Sequence, residues 1–265
     1  MKKTGIWLLI FILAFQLAAC VELPTDDPSQ PSQTETSDPT GDTGEKDPTD
    51  DPVVPPPPAH SEYYLEGLAV EDVIRYFNEV VLDAEFSSGG NASLVQKWDA
   101  PIHYILYGHY THEDKAKITE FASWLNTIPG FPGMTETLVP AEANLNIHFC
   151  TEQEMVNILG NNFWGMDGGV TFWYLDNKIY QETICYRTDI RQYTRNSVIL
   201  EEIYNGLGPV QDTDLREDSI IYSGFSEPQE LTEVDALILK LLYHPSILPG
   251  MNAAECETVI RSLYW

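Results

Sequence analysis

The stretch NSVILEEIYNGLGPVQD, residues 196–212, decides how the whole chain is interpreted. Ile199, Ile203 and Leu207 recur at every fourth position, which predicts the buried stripe of an α-helix. The Gly-Pro pair that follows ends the helix, because Gly commonly terminates helices and Pro cannot extend them. The stretch therefore predicts an amphipathic helix that stops at Gly208.

The polar residues of this helix have the spacing of a metal site. Glu201 and Asn205 lie four positions apart, and so one turn above each other, with Glu202 beside them. Zinc proteases use the same spacing in H-E-x-x-H, where the two His bind the metal and the Glu is the general base. In this chain the frame is E-E-x-x-N-x-x-G-x-x-Q, which ends at Gln211.

This frame resembles the metzincin signature H-E-x-x-H-x-x-G-x-x-H, which it matches at the Glu and the Gly. The three metal-ligand positions differ, since Glu201, Asn205 and Gln211 replace the His residues. One carboxylate and two neutral amides would bind zinc poorly, whereas calcium and magnesium prefer hard oxygen donors of this kind. We therefore expect no resident cofactor, and zinc or another divalent metal is the alternative.

The segment after this helix extends the resemblance to metzincins of the matrixin type. Those enzymes have a Ser-Ile-Met-Tyr turn beneath the metal, then a helix that begins near Leu-x-x-x-Asp and ends in Leu-Tyr-Gly. Here residues 218–222, DSIIY, stand in place of the turn, with Ile221 at the Met. Residues 231–235 and 242–243 stand in place of the two helix ends. The resemblance implies a single metzincin-like, or zincin-like, domain.

The same region resembles more closely a bacterial lipoprotein family of unknown function, domain of unknown function 2927. Its pattern contains Glu-Glu, Leu-Gly and Asp, followed by Ser-Ile, Thr-x-x-Asp, Leu-Leu-Tyr-x-Pro and Pro-Gly-Met. No activity is established for that family, so the resemblance identifies relatives and leaves the function open. The matching residues are Glu201, Glu202, Asn205, Leu207, Gly208, Asp212, Ser219, Ile220, 232–235, 241–245 and 249–251.

Two further interpretations of the polar face remain open beside the metal site. The carboxylates of Glu201 and Glu202 could be surface groups that pair with Arg191 or Arg195, which is a structural role. Alternatively, the face is a cleft that has lost its metal and presents amides and carboxylates to a peptide or a sugar. The residues of that candidate cleft are Glu201, Asn205, Gln211 and Asp212.

Hydrophobic periodicity and turn signals predict the remaining elements. Their order predicts an α+β fold with a small mixed sheet and long helices. The last two predicted strands form a hairpin around the Asp176-Asn177 turn. The predicted strands cover 102–107, 145–150, 170–174 and 179–186, and the predicted helices cover 68–81 and segments that begin near 111, 151, 189 and 232, with a final one over 256–263.

The cysteines of the predicted domain leave disulfide pairing open. An exported protein can hold a disulfide, and Cys150 and Cys185 lie near the ends of predicted strands, where they could pair. Three cysteines cannot all pair with one another, and Cys256 fits the apolar stripe of a helix. We therefore expect at least one buried free thiol.

Residues 1–20, MKKTGIWLLIFILAFQLAAC, have the features of a bacterial lipoprotein signal peptide. Two Lys precede an apolar run that is too short to span a bilayer. The closing Leu-Ala-Ala-Cys resembles the lipobox, which implies cleavage before Cys20 and attachment of acyl chains such as palmitate to its thiol and amine. Such chains anchor a protein without a spanning helix. A plain signal peptide with an incidental Cys is the alternative.

Residues 21–60 are rich in Pro, Asp, Thr and Ser and predict a disordered acidic linker. Residues 61–265 then form the globular domain. The chain has 41 acidic and 14 basic residues and a net charge of −27. Nucleic acids and anionic lipid surfaces repel such a protein, so neither is expected as a partner of the domain.

Together these features predict a lipid-anchored protein of the bacterial cell membrane that faces outside the cytoplasm. We expect a binding or structural module, a pseudoenzyme whose ligand is a peptide or another cell-envelope component. The alternative is a metal-dependent peptidase or hydrolase with unorthodox ligands and Glu202 as the general base. The sequence leaves the ligand and the oligomeric state open.

Overall fold

A six-stranded sheet lies at the centre of the chain that the computed structural model describes, which comprises residues 61–82 and 94–265. The strands pair in the order β1-β6-β4-β2-β3, and β5 pairs with β6. Every pairing is parallel except that of β5 with β6. The strands are β1 (Lys97–Trp98), β2 (Ile102–Gly108), β3 (Met134–Glu136), β4 (Leu145–Cys150), β5 (Gly168–Leu175) and β6 (Lys178–Arg187).

Six α-helices accompany this sheet in the same part of the chain. Side-chain capping boxes start four of them, including the two predicted at Thr111 and Thr151. None of the helices in the described ranges has the length and apolar character that crossing a membrane requires. The helices are α1 (Val70–Phe77), α2 (His112–Leu125), α3 (Glu152–Leu159), α4 (Gln192–Gly206), α5 (Glu233–Tyr243) and α6 (Ala253–Leu263).

The described residues form a mixed α/β domain. The expected small mixed sheet and the hairpin around Asp176 and Asn177 are confirmed, and both turn residues have the positive φ that tight hairpin turns require. The structure differs from the predicted α+β class, because helices alternate with parallel strands along the chain. Neighbouring parallel strands need crossover connections, and the helices supply them. The short strands β1 and β3 were not predicted. The helix expected over 68–81 ends as α-helix at Phe77 and continues as a π-helical turn, Asn78–Leu82.

Two adjacent glycines of β5 allow other elements to approach the sheet closely on both faces. A Cβ atom on Gly168 would overlap Val198 of α4 and lie 3.1 Å from Glu202 Oε1. A Cβ atom on Gly169 would overlap the ring of Phe163, which follows α3. Because successive strand residues point to opposite faces, α4 covers one face of the hairpin and the α3 region covers the other.

A buried ion pair joins the first turns of α2 and α4. Arg195 Nε lies 2.8 Å from Asp114 Oδ1, and the two side chains are 6% and 0% exposed. Burial alone would raise the pKa of Asp114, but hydrogen bonds from Arg195, Thr111 and Gln192 hold it below its ordinary value. Arg191 pairs with Glu227 at 3.0 Å. The two arginines considered as partners for Glu201 and Glu202 therefore form ion pairs with Asp114 and Glu227.

The three cysteines of the described chain are free and buried, which confirms the expected buried thiols. Cys256 lies on α6 in the main core, as its position on an apolar stripe predicted. Cys150 and Cys185 share a second, smaller cluster with Met155 and Phe163. The signal peptide, Cys20 and the linker predicted over 1–60 lie outside the described residues.

Candidate functional site

The last two turns of α4 carry three of the predicted site residues. Glu201, Glu202 and Asn205 are all half-buried, which differs from the exposure of an ordinary outer helix face. Gln211 and Asp212 follow the helix in an irregular segment and are also half-buried. The backbone N–H of Gln211 donates a hydrogen bond of 3.3 Å to Val80 O, which fixes this segment against the π-helical turn.

Glu202 lies between α4 and the β5–β6 hairpin. Its carboxylate approaches the backbone of Gly168, where any larger residue would overlap Val198 and crowd the carboxylate. The pKa of Tyr186 in β6 is raised well above its ordinary value, first by burial and then by the negative charge of Glu202. Glu202, the predicted general base, therefore lies beside β5. Among the described residues, β5 pairs with one strand, β6.

Asn205 presents a buried acceptor. Its Oδ1 atom is inaccessible to solvent and has no hydrogen-bond partner within the described part of the chain. Buried polar atoms are satisfied in the great majority of cases, so an exception calls for an explanation such as a ligand or an ordered water. Because solvent does not reach this oxygen, an N–H or O–H donor, or a cation, from outside the chain would bind it only when the surrounding side chains move.

A metal-binding group of the usual composition is absent from the described residues, where no three His, Cys, Asp or Glu side chains converge. The donors that the α4 frame supplies are one carboxylate, Glu201, and the amides of Asn205 and Gln211. These are the donors that the sequence predicted, and their oxygen atoms suit a hard cation such as calcium or magnesium better than zinc.

Two histidines of the described chain contact residues of neighbouring strands. His148 stacks on Tyr107 with ring centroids 4.8 Å apart, and burial lowers its pKa. His103 lies 3.2 Å from Thr135 Oγ1. Both lie on strands, as predicted.

Asp235 fixes the turn at residues 218–222, which follows α4, the helix of the candidate site (the site helix). The sequence analysis did not predict this role. Its carboxylate is fully buried and accepts hydrogen bonds from Ser219 Oγ (2.8 Å), the N–H of Ile220 (3.1 Å) and Tyr76 OH (3.0 Å). Thr232 donates to the same group through its N–H and its hydroxyl. The Thr-x-x-Asp pattern was visible in the sequence as part of the family resemblance, but it did not reveal these distant partners.

The turn held by Asp235 packs against the segment that carries Gln211 and Asp212. The N–H of Thr213 donates to Ile221 O, and the N–H of Ser223 donates to Thr213 O, both at 2.9 Å. Ile221, at the position compared with the metzincin Met, is fully buried. The turn and the segment after α4 therefore form one hydrogen-bonded unit.

Comparison with known proteins covers the sheet, the site helix and the turn held by Asp235 together. A family model described as protein of unknown function (DUF2927) matches residues 70–262, which is more than half of the chain. The chain belongs to this family. The match runs from the first residue of α1 to the penultimate residue of α6, so the DUF2927 domain includes the sheet, the site helix and the Asp235 turn. A search of curated proteins found no significant match. The metzincin and lipoprotein resemblances stay predictions.

The DUF2927 domain also contains a buried carboxyl that was not predicted. Glu182 of β6 is 1% exposed, and burial raises its pKa to about 8. Its Oε1 atom has no hydrogen-bond partner among the described residues. The alternation of Glu182 with Ile184 and Tyr186 was the available signal, because the two apolar residues mark a buried strand face.

Glu182 lies against Gly206, the last residue of α4. A Cβ atom at Gly206 would collide with the Glu182 carboxyl. The same backbone position is fixed by Trp98, whose Nε1–H donates to Gly206 O at 3.2 Å. The end of the site helix is therefore set by a contact that only glycine permits.

We expect Gly206→Ala to destabilise the DUF2927 domain by about 2 kcal/mol, because the methyl group forces the buried carboxyl or the helix to move. The usual effect of replacing a helical Gly by Ala has the opposite sign. Urea unfolding would measure the change, with the double variant Gly206→Ala/Glu182→Ala beside the two single variants. Equal effects of Gly206→Ala with and without Glu182 would show that the carboxyl is not the cause.

Proposed function

We propose that this DUF2927 protein is a lipid-anchored, extracytoplasmic binding module with a metzincin-like fold. Residues Glu201, Asn205 and Gln211 occupy the positions that hold zinc in metzincins and form a recognition site instead. The observation that carries this proposal is the buried, unpartnered Oδ1 atom of Asn205, one helical turn after Glu201. The order of site helix, buried turn and α5 supports the metzincin-like comparison.

The chemistry of the site indicates the ligand class. The Glu201 carboxylate and the Asn205 carbonyl oxygen are acceptors, so they favour a ligand that supplies N–H groups or an ammonium group. Glu202, next to Glu201 in the chain, approaches Gly168 of β5, and the outer backbone groups of β5 have no strand partner among the described residues. An extended peptide can pair with such an edge through main-chain hydrogen bonds. We therefore favour a peptide of the cell envelope over a neutral sugar.

The amino-terminal part of the chain supports the proposed location. Acyl chains on Cys20 would hold the protein at the membrane surface, and the acidic linker over 21–60 would give the domain reach. The net charge of −27 opposes binding of the domain to nucleic acid. A ligand with basic or amine groups fits this charge.

The metal-dependent alternative has its own test. The full chain, purified without a His tag or chelator and incubated with zinc, should contain far less than one equivalent of zinc by plasma mass spectrometry. The opposite result would be one equivalent of zinc that the Glu201→Gln variant does not hold, together with peptidase activity that Glu202→Gln abolishes. That result would show that the protein is a hydrolase and would contradict the binding proposal.

Asn205→Ala tests the binding proposal directly. With peptides released from purified cell walls as the probe, we expect a loss of affinity of about tenfold or more, because a bound donor would lose a buried acceptor. The melting temperature should change little, since Oδ1 has no partner to lose within the described structure. Calorimetric titration and thermal unfolding would measure both quantities.

Asn157→Ala is the matched control, because Asn157 is an exposed Asn on α3. It should leave both affinity and melting temperature unchanged. Equal peptide affinities for Asn205→Ala and Asn157→Ala would contradict a recognition role for Asn205.

A further inference from the structure

The second cluster of the core brings two cysteines together on neighbouring strands. Cys150 is the last residue of β4, and Cys185 lies on β6, which pairs with β4 in parallel. Cys185 stands opposite His148, two positions before Cys150, so the two cysteines occupy diagonal positions on one face. Both side chains pack in the cluster that contains Met155 and Phe163.

The two thiols have different environments. The neighbouring Cys185 thiol lowers the pKa of Cys150, and this outweighs the opposing effect of burial. The same contact, and then burial, raise the pKa of Cys185. Cys150 is 8% exposed, whereas Cys185 is fully buried. A reagent from solution therefore reaches Cys150 first, and Cys150 is also the thiol that ionises more readily.

We propose that Cys150 and Cys185 are a redox pair that closes into a disulfide between β4 and β6. The Cys150 thiolate attacks one sulfur of a small disulfide such as oxidised glutathione and releases one thiol. Cys185 then attacks Cys150 of the mixed disulfide and releases the second thiol. Two protein thiols and one small disulfide thus become one protein disulfide and two small thiols, with two electrons passing to the oxidant.

The bond would constrain the strand beside the candidate site. The closed loop runs from Cys150 to Cys185 and includes α3 and β5. Cys185 stands opposite Gly169 in the hairpin, next to Gly168, which contacts Glu202. Oxidation would therefore tie β6, the strand partner of β5, to β4 on the face of the sheet that the α3 region covers. The oxidised form would occur in the cell if the proposed extracytoplasmic location is correct, so this point rests on the proposed function. The reaction of the two cysteines in the purified protein does not depend on that location.

The test uses the purified full chain treated with oxidised glutathione, alkylated in denaturant and mapped by mass spectrometry. The expected product is a cross-link between the peptides that contain Cys150 and Cys185, with Cys256 alkylated. Alkylation of both Cys150 and Cys185, or glutathione retained on Cys150 without a cross-link, would overturn the proposal. Neither result depends on a peptide ligand, so this test and that of the proposed function fail independently.

Variants and melting temperatures complete the test. Closing a loop of this length should raise the melting temperature by about 10 °C, and reduction should reverse the rise. Cys150→Ser should abolish the effect of the oxidant, and Cys185→Ser should stop the reaction at a mixed disulfide on Cys150. Cys256→Ser, the matched control on α6, should form the same cross-link as the parent chain. A cross-link that requires Cys256 would refute the assignment.

Discussion

Replacement of Asp235 by Ala is expected to lower the free energy of unfolding by about 4 kcal/mol or more. The substitution removes the acceptor for five donor groups of Tyr76, Ser219, Ile220 and Thr232. Each buried donor that is left without a partner costs about 1–3 kcal/mol, although hydroxyl groups can turn to other acceptors. The turn against residues 211–213 should loosen at the same time.

The measurement is urea unfolding followed by circular dichroism, and hydrogen exchange at Ile220 would report the turn itself. Glu233→Ala is the matched control, because Glu233 lies in the same first turn of α5 but is exposed. It removes a similar charge near the helix start without breaking the network. Equal midpoints for the two variants would contradict the role assigned to Asp235.

The stability of the domain is expected to fall as pH rises from about 5 to about 8, because Glu182 is buried as a neutral acid. Its pKa in the folded protein is about 8, against an ordinary value of 4.5. Between these values the folded state holds a proton that the unfolded state has released, so the contribution of Glu182 to the free energy of unfolding is complete below pH 4.5 and is lost towards pH 8. Each pKa unit corresponds to about 1.4 kcal/mol, which sets an upper bound of about 5 kcal/mol.

Glu182→Gln should remove most of this pH dependence, because Gln fills a similar volume and does not ionise. At pH 8 the variant should be more stable than the parent by several kcal/mol, and at pH 5 the two should be similar. Glu217→Gln, which changes an exposed carboxylate, controls for the general effect of net charge. Parallel stability curves for the parent and both variants over this range would show that Glu182 does not carry the dependence.

Local sequence patterns predicted the elements whose stabilising contacts lie within a few residues. The site helix was expected to stop at Gly208, and α4 ends at Gly206. The helix starts near residues 111 and 151 and the Asp176-Asn177 hairpin depend on near neighbours and were also predicted. The short strand β1 was missed, because two residues carry no periodicity and pair only with a distant strand.

The candidate site likewise has features that the sequence predicted and features that it did not. The spacing of Glu201, Glu202 and Asn205 on a helix was predictable, since helical geometry alone sets it. The buried state of Asn205 Oδ1 and the contact of Glu202 with Gly168 were not predictable, because both depend on how α4 packs on the sheet. No local pattern fixes the distance of a helix from a strand.

The sequence by itself determined the helices, the family and the kinds of side chain on the site helix, because short-range periodicity and motifs encode them. Only the tertiary structure decided that Glu182 is buried as an acid, that Asp235 holds a turn and that Cys150 meets Cys185. Each of these results requires residues far apart in the chain to meet across the sheet or between helices. Strand register and helix packing determine those encounters, and they arise from the whole core.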